Sequence, residues 1–319
     1  PESPAFGDKV DAAGKPVAYH QAGTLVYGPP PAGWAGACIA GEGFTAAMCG
    51  NKLIGARYYN ADFTASGAVR VALEYLSPRD GASSGHGSHT ASTSGGNERV
   101  DIVNASGVIT AVMGGIAPRA RIAAYKVCWT ATVSAQTGCY TADMLRAIDD
   151  AVTDGVDVIN FSISGTQLNF NDPVETAFLN ATAAGVFVAA SAGNSGPGNQ
   201  VAHMSPWLTT VGASTHDRNP GGGDLRLGNA TVYSGFSLNY LAATTGSLAL
   251  SENVAAAGQA ANAATCLANS LDAALASGRI VVCDRGTNSA AVRLAASAEV
   301  KRAGGIGMVQ GIPAPTNWY

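Results

Sequence analysis

The sequence has no run of about 18 apolar residues, the length a membrane-spanning helix needs. Its quietest stretch, near Val108–Pro118, is far shorter. Charge is scarce: Asp, Glu, Lys and Arg make up 13% of the chain, against 47% apolar residues. That balance excludes a disordered acidic tail, which needs high charge and little to bury. Basic residues are outnumbered 18 to 22 and scattered, for a net charge of −4. Such a chain has no general attraction for phosphate, which excludes a nucleic-acid partner. No C-x-x-C occurs, so zinc-ribbon and thioredoxin-type sites are excluded. Also absent are a P-loop and a strand followed by G-x-G-x-x-G. These absences exclude the common nucleotide folds. No secretory leader is visible, and Pro1-Glu2-Ser3-Pro4 reads as the middle of a domain.

Small residues take up the space that charge leaves. The chain has 40 glycines and, at 319 residues, is long enough for one large domain plus part of a second. Six cysteines fall into sequence-adjacent couples: Cys38 with Cys49, Cys128 with Cys139, and Cys266 with Cys283. Spacing alone does not choose a connectivity, and buried free thiols in a cytosolic protein are the alternative. The local couples are the expected bridges, because each closes one loop between neighbouring elements. A loop of that size contributes about 3 kcal/mol in the chain-entropy model. Glycosylation sequons stand at Asn104, Asn180 and Asn229. Asn160 fits the same pattern but is expected in a buried strand.

From Met113 to Ala213 strand and helix patterns alternate. Arg121–Val127 is a short apolar run of strand length. Thr141–Asp154 carries Leu145, Ile148, Ala151 and Val152 at helical spacing, with Thr141 placed to cap it and Gly155 to stop it. Val156–Ser162, Val186–Ser191 and Leu208–Ala213 read as strands. Pro173–Ala184 reads as a helix opened by proline and closed before Gly185. Repeats of this length imply right-handed crossovers and a parallel sheet, its strands apolar on both sides and covered by helices on both faces. The Gly- and Pro-rich stretch before Arg79 gives no clear elements. Beyond about Gly235 the texture changes. Leu241–Asn262 is poor in charge, and Asn269–Ala276, Gly278–Cys283, Ser289–Lys301 and Gly304–Val309 form a second αβ unit. The expected division is therefore 1–240 and 241–319.

Three segments could carry chemistry. The first is Gly85-His86-Gly87-Ser88-His89-Thr90-Ala91-Ser92. A zinc pair would prefer histidines at i, i+4 with a nearby glutamate, which is missing here, so no metal site is expected. The plain alternative is a structural pair under a helix start. The third reading is a general base: flanking glycines let a substrate backbone approach His86, and a helix start keeps its imidazole neutral. The second segment is Ala190-Ser191-Ala192-Gly193-Asn194-Ser195-Gly196-Pro197, a strand running into a turn that carries one amide. Taken alone it is ordinary turn chemistry. The third is Asn160-Phe161-Ser162-Ile163-Ser164-Gly165, at the end of another strand. Ligands of open α/β sheets bind at the carboxyl ends of strands, so the three segments can converge on one edge.

Together with Arg79-Asp80-Gly81, Cys49–Tyr59, Tyr125-Lys126-Val127-Cys128-Trp129 and Asp154–Ile159, these motifs resemble the subtilisin-like serine proteases. The likeness is greatest to the cucumisin-like plant branch and its bacterial relatives. It covers Pro1 to about Gly235, with Ser88 standing where the family usually has threonine. The tail, with Ile280-Val281-Val282-Cys283-Asp284-Arg285-Gly286, resembles part of the protease-associated (PA) domain inserted in these enzymes. The resemblance implies a three-layer α/β domain with a mostly parallel sheet and helices on both faces, plus a partial PA insert. It implies a secreted serine endopeptidase acting on polypeptides, with a propeptide inhibitor as a possible partner. His86 would be the general base and Asn194 the oxyanion donor. Ser162, Ile163, Ser164, Ser191, Ala192 and Gly193 would line the groove for an extended peptide. No cofactor is implied; calcium stays open, since the EF-hand pattern is absent but loop calcium sites have no simple signature.

The family's catalytic aspartate precedes the residues matching Pro1-Glu2-Ser3, and its nucleophilic serine follows the inserted domain. The expectation is a fragment carrying only the histidine and asparagine, with the remainder of the same protein as its partner. Asp80, Asp8 and Asp11 are poor substitutes for the aspartate, as are Ser164, Ser191 and Ser195 for the nucleophile. A non-catalytic module that binds peptides or partners is the alternative.

Overall fold

The computed structural model describes residues 1–81, 85–103, 109–167, 169–195, 198, 200–214, 222–236, 243–285 and 290–311. The chain divides into two compact units, Pro1–Thr215 and His216–Tyr319. That division falls ahead of residue 240, where the change of composition suggested it. Among the described residues, no helix is long and apolar enough to cross a membrane.

The first unit is built on parallel strands. Strand β1 (Leu53–Tyr58) pairs with β2 (Ile122–Lys126), and β3 (Val158–Phe161), β4 (Phe187–Ser191) and β5 (Thr209–Val211) form a second parallel set. Strand β1 lies in the stretch that the sequence left unassigned. Helix α1 is His86–Gly95, α2 is Thr141–Asp154 and α3 is Pro173–Ala183. Gly155 ends α2 with φ +89°, where a side chain would be strained. Thr141 is the first residue of α2 and not its cap. That place belongs to Tyr140, whose side chain makes no capping bond, and the Asp62 carboxylate accepts from the Ala142 N–H instead. Asp172 caps α3 through the Val174 N–H, and Pro173 follows at the first position, where its missing N–H costs nothing.

Alternation along β2 sends Ile122 and Tyr125 to opposite faces. Gly95 of α1 lies against Ile122, while the Tyr125 hydroxyl donates to Asp154 at the end of α2. This sheet therefore has helices on both faces. On β3, β4 and β5, α2 and α3 cover one face only: Phe161, Val188 and Ala190 are buried there with Ile148, Phe178 and Ala181. Val158, Asn160, Phe187 and Val211 on the other face are exposed. The expected burial of Asn160 is thus corrected, because its side chain lies on the face that the helices leave open.

The second unit has its own parallel sheet, β6 (Ser247–Leu250), β7 (Arg279–Asp284) and β8 (Gly307–Gly311), with helix α4 (Ala290–Arg302) crossing between the last two strands. Val281, Cys283, Cys266, Ala276, Ala296 and Val300 form its core. A hairpin, Gly222–Arg226 with Val232–Phe236, precedes it. The disulfides are Cys38–Cys49, Cys128–Cys139 and Cys266–Cys283, each joining the neighbouring couple. Asn180 on α3 and Asn229 in the hairpin turn are exposed, and Asn104 lies outside the described residues.

Candidate active site

His86 is the first residue of α1 and is exposed. Gly85 before it takes φ +68°, a left-handed entry that glycine adopts without steric cost. The Asp80 carboxylate accepts from the Ser88 N–H at 2.7 Å, satisfying one of the helix's open donors. Asp80 thus acts on the helix end. Asp8 accepts from the Asn51 N–H and Asp11 from the N–H groups of Ala13 and Lys15, so both carboxylates serve turns.

The approach to α1 is fixed from β2. Lys126, at the end of that strand, donates to the carbonyls of Tyr75 and Arg79 at 2.9 Å each and pairs with Glu74 at 2.5 Å. Its ammonium also lies 4.3 Å from the centre of the Trp129 ring. Burial pushes this ammonium below the ordinary lysine value, and the Glu74 carboxylate opposes that shift. Since Lys126 ends β2 and holds Arg79, next to the capping Asp80, the His86 end of α1 lies at the carboxyl end of β2. The other end of α1, at Gly95, meets Ile122 at the start of that strand. Behind β1 and β2, Arg57 grips Asp154 through two bonds of 2.8 and 2.7 Å, and the carboxylate raises the guanidinium pKa.

Asn194 follows the carboxyl end of β4 and is also exposed. Gly193 before it has φ +81°. A Cβ on Gly193 would lie 3.4 Å from the Ser164 hydroxyl, so the segments after β3 and β4 are in close approach. The Ser191 hydroxyl donates to the Ile163 carbonyl at 3.2 Å. The Ala192 N–H donates to Val211 and its carbonyl accepts from Ala202. Asn160 donates to the Ser162 hydroxyl at 3.0 Å. The structure thus brings together Ile163 and Ser164 with Ser191, Ala192 and Gly193. His86 and Asn194 each stand at the carboxyl end of a parallel strand.

Comparison with known proteins settles the family. The model of the subtilase family, Peptidase S8, matches residues 52–298. The chain belongs to the subtilase family. Among curated subtilases, it is 41% identical over 300 residues to the subtilisin-like protease SBT1.6 of Arabidopsis thaliana, covering 89% of this chain and 36% of that protein. It is 40% identical over 322 residues to SBT5.6 of the same plant, covering 98% of this chain and 38% of the relative. The chain therefore spans little more than a third of the length of these subtilases.

Sequence reasoning about this subtilase missed a buried pair next to Ile163. His203 and Glu175 are each 1% exposed, with His203 Nδ1 at 2.5 Å from Glu175 Oε1. His203 Nε2 lies 2.9 Å from the Ile163 carbonyl. The Ser205 hydroxyl donates to the other Glu175 oxygen, and the Thr210 hydroxyl donates to the His203 carbonyl. The available signal was a lone histidine in Ala202-His203-Met204-Ser205-Pro206-Trp207. No motif links it to a glutamate on an earlier helix.

Proposed function

We propose that this chain is the histidine- and asparagine-bearing part of a secreted serine endopeptidase that cleaves polypeptides. The observation that carries the reading is that His86 and Asn194 each stand at the carboxyl end of a parallel strand, with Ile163–Ser164 and Ser191–Gly193 fastened to each other next to Asn194. On this reading the two side chains face one cleft. His86 takes the proton of a serine hydroxyl as that oxygen attacks the peptide carbonyl, then returns it to the leaving amine. An aspartate holds the imidazole tautomer. Asn194 donates its amide to the oxyanion. Residues 162–164 and 191–193 pair with the extended substrate. No residue of this chain takes the serine or the aspartate role on this reading. The second unit is part of a PA-type insert. The disulfides support an oxidising, extracellular setting.

In the full-length protein, Asn194→Ala is expected to lower kcat by about 10²–10³ with KM little changed. That range comes from a subtilisin's own oxyanion asparagine and is therefore a family figure. Steady-state kinetics on a chromogenic peptide measure it, and a loss below about threefold refutes the role. The 319-residue chain alone is expected to give no burst of released chromophore.

A further inference from the structure

We propose that His203, held by Glu175, is a positioning residue that fixes the spacing between the two walls of the peptide groove. It does so through the Ile163 carbonyl. This deepens the function proposed above and rests on it. The Ile163 carbonyl receives two donors: the Ser191 hydroxyl at 3.2 Å, from the end of β4, and His203 Nε2 at 2.9 Å. A carbonyl only accepts, so Nε2 must carry a proton. Glu175 settles the other ring nitrogen. As a carboxylate it accepts from Nδ1–H, and as an acid it donates to a bare Nδ1. Either way one proton lies between them, and Nε2–H stays aimed at Ile163.

The ring is enclosed on every side. Phe161 and Phe178 stand edge-on to it, at centroid distances of 5.4 and 6.1 Å. Gly165 passes so close that a Cβ there would overlap the ring. The His203 N–H donates to the Thr166 carbonyl, and Ala202 N–H to the Ala192 carbonyl. One short segment therefore holds the chain after β3 and the chain after β4 at once. Helix α3 supplies the anchor, because Glu175 is buried on it. A groove that takes a peptide as an added strand depends on this spacing, whereas the proton transfers at His86 do not. The role belongs to binding rather than to chemistry.

The test uses the full-length enzyme. Removing one member alone strands a buried polar group and can unfold the protein, so the informative variant is the apolar pair Glu175→Leu/His203→Phe. It is expected to raise KM for an extended peptide about tenfold while kcat stays within about threefold. His203→Gln, whose amide can donate to the same carbonyl, is expected to bring KM back to within about threefold of wild type. A kcat that falls in step with kcat/KM, or a His203→Gln no better than the apolar pair, overturns the proposal. The geometry has its own readout in the proton–nitrogen NMR spectrum of the imidazole. Nε2 should carry a slowly exchanging proton, and an unprotonated Nε2 overturns the clamp even in an active enzyme. A wild-type protein that keeps this proton yet cleaves no peptide overturns the functional reading, and the positioning role with it.

Discussion

Glu175 in the first unit and Glu299 in the second are both helix-borne carboxylates, 1% and 3% exposed, and each holds a loop in place. They differ in their partners. Glu175 faces His203, which is sealed from water and passes the contact on to Ile163. Glu299 accepts from the N–H groups of Asn269 and Leu271 and from Arg302, three residues on, whose side chain is 43% exposed. The first is a contact in which neither His203 nor Glu175 has water to fall back on. The second is an anchor with an open side. Arg302, followed by the backbone donors, holds the Glu299 carboxyl at about 2, well below its ordinary 4.5. Glu175 thus transmits position to an enclosed partner, whereas Glu299 is an anchor whose carboxyl is held low by a partner that reaches solvent.

The largest effect should come from breaking the enclosed contact. Glu175→Ala leaves His203 without its partner and is expected to cost about 3–5 kcal/mol in urea unfolding. The apolar pair Glu175→Leu/His203→Phe should recover most of that loss. A single variant costing under about 1 kcal/mol would show that water reaches the ring after all, and the contrast would fail. Next in size, replacing Cys266 and Cys283 together by serine should cost about 3 kcal/mol. The loss should appear as faster hydrogen exchange in β7 and α4, with α3 unchanged. The smallest effect is at Glu299. A folded pKa depressed below the unfolded 4.5 gives stability that is fully present above 4.5. It is lost as pH falls toward and through about 2. Glu299→Gln should cost on the order of 1 kcal/mol near neutrality, with solvent screening at Arg302, and should flatten the acid slope. An unchanged slope would mean that another carboxyl governs it.

The helices and strands from β2 to β5 were readable because their apolar spacing matches one period each, and Gly155 stops α2 by its backbone freedom alone. Strand β1 was not readable. Gly55 and Arg57 interrupt its apolar run, and Arg57 makes sense only once Asp154, far along the chain, is seen beneath it. Asn160 was misjudged because strand propensity does not say which face a helix will cover. Residues 162–164 and 191–193 were picked out by family motifs, whereas the hydrogen bond that ties Ile163 to Ser191 is a tertiary fact. His203 was invisible for the same reason: its meaning depends on a glutamate on another element, which periodicity cannot supply.

Strand β1 also sets an order of assembly. Leu53 pairs with Ile122, so the first parallel ladder cannot form until the intervening chain, α1 included, has left the ribosome. Closing so long a loop is an entropic hurdle that local helix formation does nothing to lower. His86 rides inside that loop, so a half-made molecule carries the imidazole but not the ledge on which it stands.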